Sequence, residues 1–158
     1  MNFLWVRCTF ASKAARDRIH DWLAEETRPD FEDEVEERWR EAFLAIEDVD
    51  FPSHMAKEGD DQLWLYFVLD GGDAVWLTLA ALKDAGAKTV YGYDMDDDTA
   101  ISGFMQVVRG RVKTLLEENG DDDKLAPSKE LARQLARLKS AREKLAYLIG
   151  AVEKGQLT

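Results

Sequence analysis

Residues 63–69 read LWLYFVL, an uninterrupted apolar and aromatic run that is ended by Asp70-Gly71-Gly72. Its length and its turn signal predict a strand, and a strand apolar on both faces belongs to a sheet that is covered on both sides. Downstream, Asp73 can cap a helix carrying Val75, Leu79 and Leu82 that stops at Gly86, and residues 88–93 (KTVYGY) predict another strand ending at Asp94. The result is a strand, helix, strand unit.

Upstream, residues 2–10 (NFLWVRCTF) alternate, with Leu4, Val6, Cys8 and Phe10 on a core face and Phe3, Trp5, Arg7 and Thr9 on the other. Ser12 then offers an N-cap to a helix bearing Ala15, Ile19, Trp22 and Leu23, which breaks at residues 27–29. A second amphipathic helix is expected from Phe31, Val35, Trp39, Ala42, Phe43 and Ile46; Glu32, Asp33, Glu34, Glu36 and Glu37 crowd its first turns, where the helix dipole favours them. Val49 and Phe51 alternate as a short edge strand would, limited by Pro52.

Beyond residue 98, Ile101, Phe104, Met105, Val108, Val112, Leu115 and Leu116 fall at helical spacing, which predicts a helix over 99–118 weakened by Gly103 and Gly110. After Pro127, one long helix over 128–154 is expected. Its positions 131, 135, 138, 142, 145, 149 and 152 form a heptad seam interrupted by Arg142. This order predicts an α+β fold in a single domain: a ferredoxin-like (split βαβ) antiparallel sheet in residues 1–98, with residues 99–158 as a pair of added C-terminal helices covering the second face. The alternative is a three-stranded α/β sandwich.

Charge divides unequally. Residues 1–123 hold 29 Asp and Glu against 13 Lys and Arg, whereas residues 124–158 hold 8 Lys and Arg against 3 Glu. Phe3, Trp5, Tyr91 and Tyr93 could share the sheet face opposite the first helices, as in single-stranded RNA binders, but so acidic a body repels a polyanion and the Lys/Arg-Gly-aromatic pattern is missing. Nucleic acid is therefore not expected as a partner. The stretch MNFLWVR is too short in apolar residues for a leader or a membrane span, and Cys8 has no partner cysteine, so a cytoplasmic protein without a membrane association is expected.

Chemistry-bearing motifs are sparse. Asp70, Asp73, Asp94 and Asp96 are candidate metal ligands, since Asp70 and Asp94 would end parallel strands about 9–10 Å apart with a third strand between them. The EF-hand test fails, however, because the loop from Asp94 has Thr99 where Gly is needed and Met105 where a bidentate Glu belongs. His20 and His54 are separated by helix and loop, no serine lies in a Gly-x-Ser-x-Gly turn, and Cys8 is mid-strand. Two carboxylates flank the turn Asp70-Gly-Gly-Asp73, which would repel a phosphate. No catalytic residue or cofactor is expected.

The basic final segment could dock on the body through its leucine seam, self-associate as a homodimer, or offer Lys129, Arg133, Arg137, Lys139 and Lys144 to an anionic partner; docking is the preferred expectation. The expected function is a small acidic inhibitor of the immunity or antitoxin type that neutralises a basic toxin or nuclease. Its contact residues would be Glu32, Asp33, Glu34, Glu36 and Glu37, then Asp94, Asp96, Asp97 and Asp98, then Asp121, Asp122 and Asp123. The alternatives are a metal-dependent enzyme or sensor and a structural homodimer or adaptor.

Overall fold

The computed structural model describes residues 1–24, 41–42, 44–46 and 50–157. Six strands, β1 (Asn2–Thr9), β2 (His54–Glu58), β3 (Gln62–Leu69), β4 (Thr89–Asp96), β5 (Ser102–Val108) and β6 (Arg111–Glu118), form one antiparallel sheet in the order β2-β3-β1-β4-β5-β6. The helices are α1 (Lys13–Leu23) and α2 (Gly72–Asp84), with residues 41–42 and 44–46 also helical, and α3 (Lys129–Ala136) and α4 (Ala141–Glu153) follow the last strand. None of these helices is long and apolar enough to cross a membrane. The fold is α+β.

Strand β1 lies antiparallel to both β3 and β4, so those two run parallel and α2 crosses between them. Alternation along β1 assigns the faces. Leu4, Val6 and Cys8 join Leu65, Phe67, Val90 and Met105 beneath α1 and α2, which contribute Ile19, Leu23, Val75, Leu79 and Leu82. Trp64, Tyr91, Tyr93, Phe104 and Leu116 form a separate core on the opposite face under Leu135, Leu145, Leu148 and Ile149. Strand β3 contributes buried side chains to both cores, as its two-sided apolar run requires.

Ser12 caps α1 by accepting a hydrogen bond from the Ala15 N–H at 3.1 Å. The buried Arg16 guanidinium then donates to the carbonyls of Gly59 (2.9 Å) and Gln62 (3.1 Å), which ties α1 to the β2–β3 turn, while the Asp17 carboxylate at 2.8 Å pairs with the charge. Asp73 lies in the first turn of α2 and not at its cap, which Gly71 occupies.

Three expectations are corrected. The second strand is at His54–Glu58, after the expected residues 48–51, of which 50 and 51 are not strand and 48 and 49 lie outside the described residues; its sequence HMAKE has no apolar alternation, and its place is set by the ladder with β3. The helix expected over 99–118 is the β5–β6 hairpin, so residues 99–158 are not a helical pair: the sheet gains two strands, and among the described residues α3 and α4 cover its second face. Both faces of β5 are buried, so Phe104 and Met105 are apolar neighbours serving opposite cores, and a register shift between them disturbs the alternation further. Apolar residues at 101, 104, 105 and 108 therefore imitate helical spacing. Arg109 and Gly110, with φ of 52° and 77°, make the tight turn that returns the chain.

The third correction concerns the last helix, which is divided at residues 137–140. Ser140 accepts from the Glu143 N–H at 3.1 Å while the Glu143 carboxylate accepts from the Lys139 N–H at 3.2 Å, a reciprocal cap that starts a new helix. The seam survives the break, with Leu135, Leu145 and Ile149 buried and Leu131, Leu138 and Val152 packed at the margins of the same core. Arg142 interrupts the seam because its guanidinium lies 4.7 Å from the Trp64 ring centroid and pairs with Glu58. Lys144 reaches the Glu118 carboxylate at 3.5 Å, and Arg7 of the sheet reaches Glu153 at 3.4 Å. The basic segment is thus docked on the acidic body by apolar burial and charge pairing together.

Candidate functional site

Strand register brings the acidic loops to one end of the sheet. Asn2 pairs with both Leu69 and Asp96, and Met95 pairs with Ser102, which pairs with Glu118. The ends of β3, β4 and β6 and the start of β5 therefore lie in neighbouring rows spanning about 19 Å, four strand spacings. From this edge emerge Asp70 and Asp73, then Asp96, Asp97 and Asp98, then Asp121, Asp122 and Asp123. The Asn119 side-chain amide donates to the Ala100 carbonyl at 3.3 Å and links the second loop to the third. Glu117 and Glu118, outside the acidic runs that the sequence singles out, border the same edge. The run 32–37 lies outside the described residues.

Charge at the opposite end is mixed, since the β2–β3 turn exposes Glu58, Asp60 and Asp61 there. The β5–β6 tip exposes Arg109, Arg111 and Lys113.

Within the acidic end, Asp96, Asp97 and Asp98 are the one group of three or more potential metal ligands among the described residues, with carboxylate oxygens within 4.8 Å of one another. The Met1 ammonium lies 2.9 Å from Asp97 and 3.5 Å from Asp98 and is held more basic than usual by them. Asp96 also accepts from the Asp98 N–H at 3.0 Å, which shapes the loop. Of the four candidate ligands, only Asp96 joins this group. Asp94 is level with Phe67 in the register, three residues inward of Asp70, an offset of about 10 Å along the strands.

Asp94 has a different setting. It is half-buried on the α2 side of the sheet, where its Oδ2 accepts from the Asn2 amide at 2.9 Å and its Oδ1 is buried with no hydrogen-bond partner among the described residues. Burial, with a smaller contribution from the nearby Asp96 charge, pushes its carboxyl up to about 6 despite the Asn2 bond. The folded state therefore binds this proton more tightly than the unfolded chain, whose carboxyl titrates near about 4. The resulting penalty is absent at low pH, grows as pH rises through the interval from about 4 to about 6, and is constant above it. Asp94→Asn is expected to stabilise the protein by about 1–2 kcal/mol at neutral pH, after allowance for partial exposure, and to gain nothing near pH 4. Urea midpoints of both proteins across this pH interval check it; a gain independent of pH would mean that the charge is not the cause.

Elsewhere the described residues that could act as nucleophile or base stand apart from one another. Burial pushes the Cys8 thiol up to about 12, and among the described residues no hydroxyl or thiol is hydrogen-bonded to either imidazole. His20 neighbours Asp21 at 3.1 Å on α1, and His54 stands exposed on the edge strand with its ring 6.2 Å from that of Trp5. Phe3, Trp5, Tyr91 and Tyr93 do share the second sheet face, as their register requires, but Tyr91 and Tyr93 are buried under α4. The Tyr93 hydroxyl donates to Glu118 at 2.6 Å, and burial together with that carboxylate raises its pKa.

No family model, no curated protein and no solved structure matches this chain.

Proposed function

We propose that this chain is a small acidic inhibitor of the immunity or antitoxin kind, acting in the cytoplasm and neutralising a basic toxin or nuclease through the carboxylate end of its sheet. We read its first four strands with α1 and α2 as a ferredoxin-like split βαβ unit, a reading supported by the order β2-β3-β1-β4 with β1 antiparallel to both neighbours. The observation that carries the function is the gathering of residues 70–73, 94–98 and 121–123 at one end of the sheet. Concentrated carboxylates on a rigid edge imitate a phosphate backbone and attract a cationic active site at steered rates.

The other readings have less support. A metal-dependent enzyme or sensor rests on Asp96, Asp97 and Asp98, since of the candidate ligands Asp70, Asp73, Asp94 and Asp96 only Asp96 joins a group of carboxylates close enough to share an ion. A homodimer built on the final helix would need the leucine seam, which is packed against the sheet of the same chain.

The test takes the basic protein captured by this chain from its native source and measures its association rate against ionic strength. Replacing Asp96, Asp97 and Asp98 by Asn is expected to slow association about tenfold at low salt and to flatten the salt dependence, with little change in melting temperature. Association insensitive both to salt and to neutralisation of 94–98 and 121–123 would overturn the proposal.

A further inference from the structure

The outer face of α2 carries two large apolar side chains in solvent, Trp76 at 50% exposure and Leu77 at 53%. Exposed apolar surface rimmed by polar groups is where a partner can dock. Asp73 lies three residues before Trp76, so the two side chains are neighbours on the helix surface, and Asp73 also belongs to the carboxylate end. Neither has an ion-pair or ring partner among the described residues. Leu77 borders an open groove with Ala42, Ala45 and Ala80, and Glu41 and Asp84 stand on its rim. The lysine there, Lys83, is committed to the carbonyls of Ala87 and Lys88, each at 3.0 Å.

Within its own fold this chain holds guanidinium groups with an aromatic ring and a carboxylate. Arg142 lies over Trp64 and pairs with Glu58; Arg7 lies 5.6 Å from the Tyr91 centroid and 3.4 Å from Glu153. Asp73 and Trp76 present the same two groups to solvent. Indole is the strongest cation–π acceptor, and the planar guanidinium can stack and pair with a carboxylate at once, which an ammonium cannot.

We propose that Trp76 and Asp73 bind an arginine side chain of the basic partner, making the outer face of α2 the anchoring part of the surface that the carboxylate end begins. The inference rests on the acidic-inhibitor reading and adds a division of labour. Carboxylates at 94–98 and 121–123 raise the rate of encounter, and the indole supplies a contact that persists after docking, as tryptophan does at the centre of many interfaces.

Labelled hexa-arginine and hexa-lysine peptides, followed by fluorescence anisotropy at low and physiological salt, provide the test. The wild type is expected to bind hexa-arginine about two- to fivefold more tightly than hexa-lysine. Trp76→Ala should bring that ratio to about one while leaving hexa-lysine binding, its salt dependence and the melting temperature unchanged. Neutralising Asp96, Asp97 and Asp98 should weaken both peptides and preserve the ratio. If binding is salt-dependent but the ratio survives Trp76→Ala, the arginine contact is wrong and the acidic surface stands. If neither peptide shows salt-dependent binding, the acidic-surface reading fails and the arginine contact falls with it.

Discussion

Leu145→Asp is expected to cost at least about 4 kcal/mol, a large part of the 5–15 kcal/mol typical of a domain. Leu145 is fully buried between α4 and the second sheet face, so the substitution removes apolar contacts and leaves a carboxylate without a cation in a closed site. Arg142 and Lys144 stand nearby in sequence, but both already pair with acids of the sheet edge strands, Glu58 and Glu118. Denaturant unfolding should show a much lower midpoint, and Leu145→Ala, expected to cost about 2–4 kcal/mol, gives a second measurement if the aspartate variant does not fold. An unchanged midpoint in both would mean that α4 does not cover this face.

Gly92→Val is expected to cost about 3 kcal/mol through overpacking. Gly92 sits on β4 opposite Val6, facing α2, and a Cβ there would lie 2.9 Å from Leu79 Cδ2 and 3.2 Å from Leu4 Cδ1. Both leucines are fully buried, so neither methyl can move aside without displacing others. Gly150→Ala in α4 serves as the opposite control: beyond its chain neighbours and the backbone of its own helix no heavy atom lies within 4 Å of the added Cβ, and the change should stabilise by roughly 0.5–1 kcal/mol through helix propensity. Thermal unfolding of the two variants should move in opposite directions. If Gly92→Val melts with the wild type, α2 is not packed on β4 as closely as described.

Docking of α4 also settles what the division of charge does within the molecule. Arg142 and Lys144 are held by Glu58 and Glu118, and Glu153 of α4 returns a pair to Arg7 of β1. The basic segment is therefore in part the acidic body's own counter-charge. Lys144, a candidate for contact with an anionic partner, is directed at the sheet. These pairs are partly exposed and each contributes little beside the apolar core beneath them, so they orient α4 more than they hold it.

Local sequence was sufficient for the elements whose signals lie within a dozen residues. The apolar alternation of β1, the two-sided apolar run of β3, the Ser12 cap of α1 and the Gly86 stop of α2 all act over short distances, and these elements stand where the periodicity places them. The break between α3 and α4 was also encoded locally, in Ser140 and Glu143, but the unbroken heptad seam concealed it. By contrast, the identity of residues 102–118 was decided by tertiary structure. Only because two helical layers bury both faces of the sheet can Phe104 and Met105 be apolar together in a strand, and that pattern is indistinguishable from a helix in the sequence. The candidate site has the same character. Acidic runs are visible in the chain, yet their common edge depends on Asn2 pairing with Leu69 and Asp96 and on Ser102 pairing with Glu118, hydrogen-bond registers between distant segments that no local preference specifies.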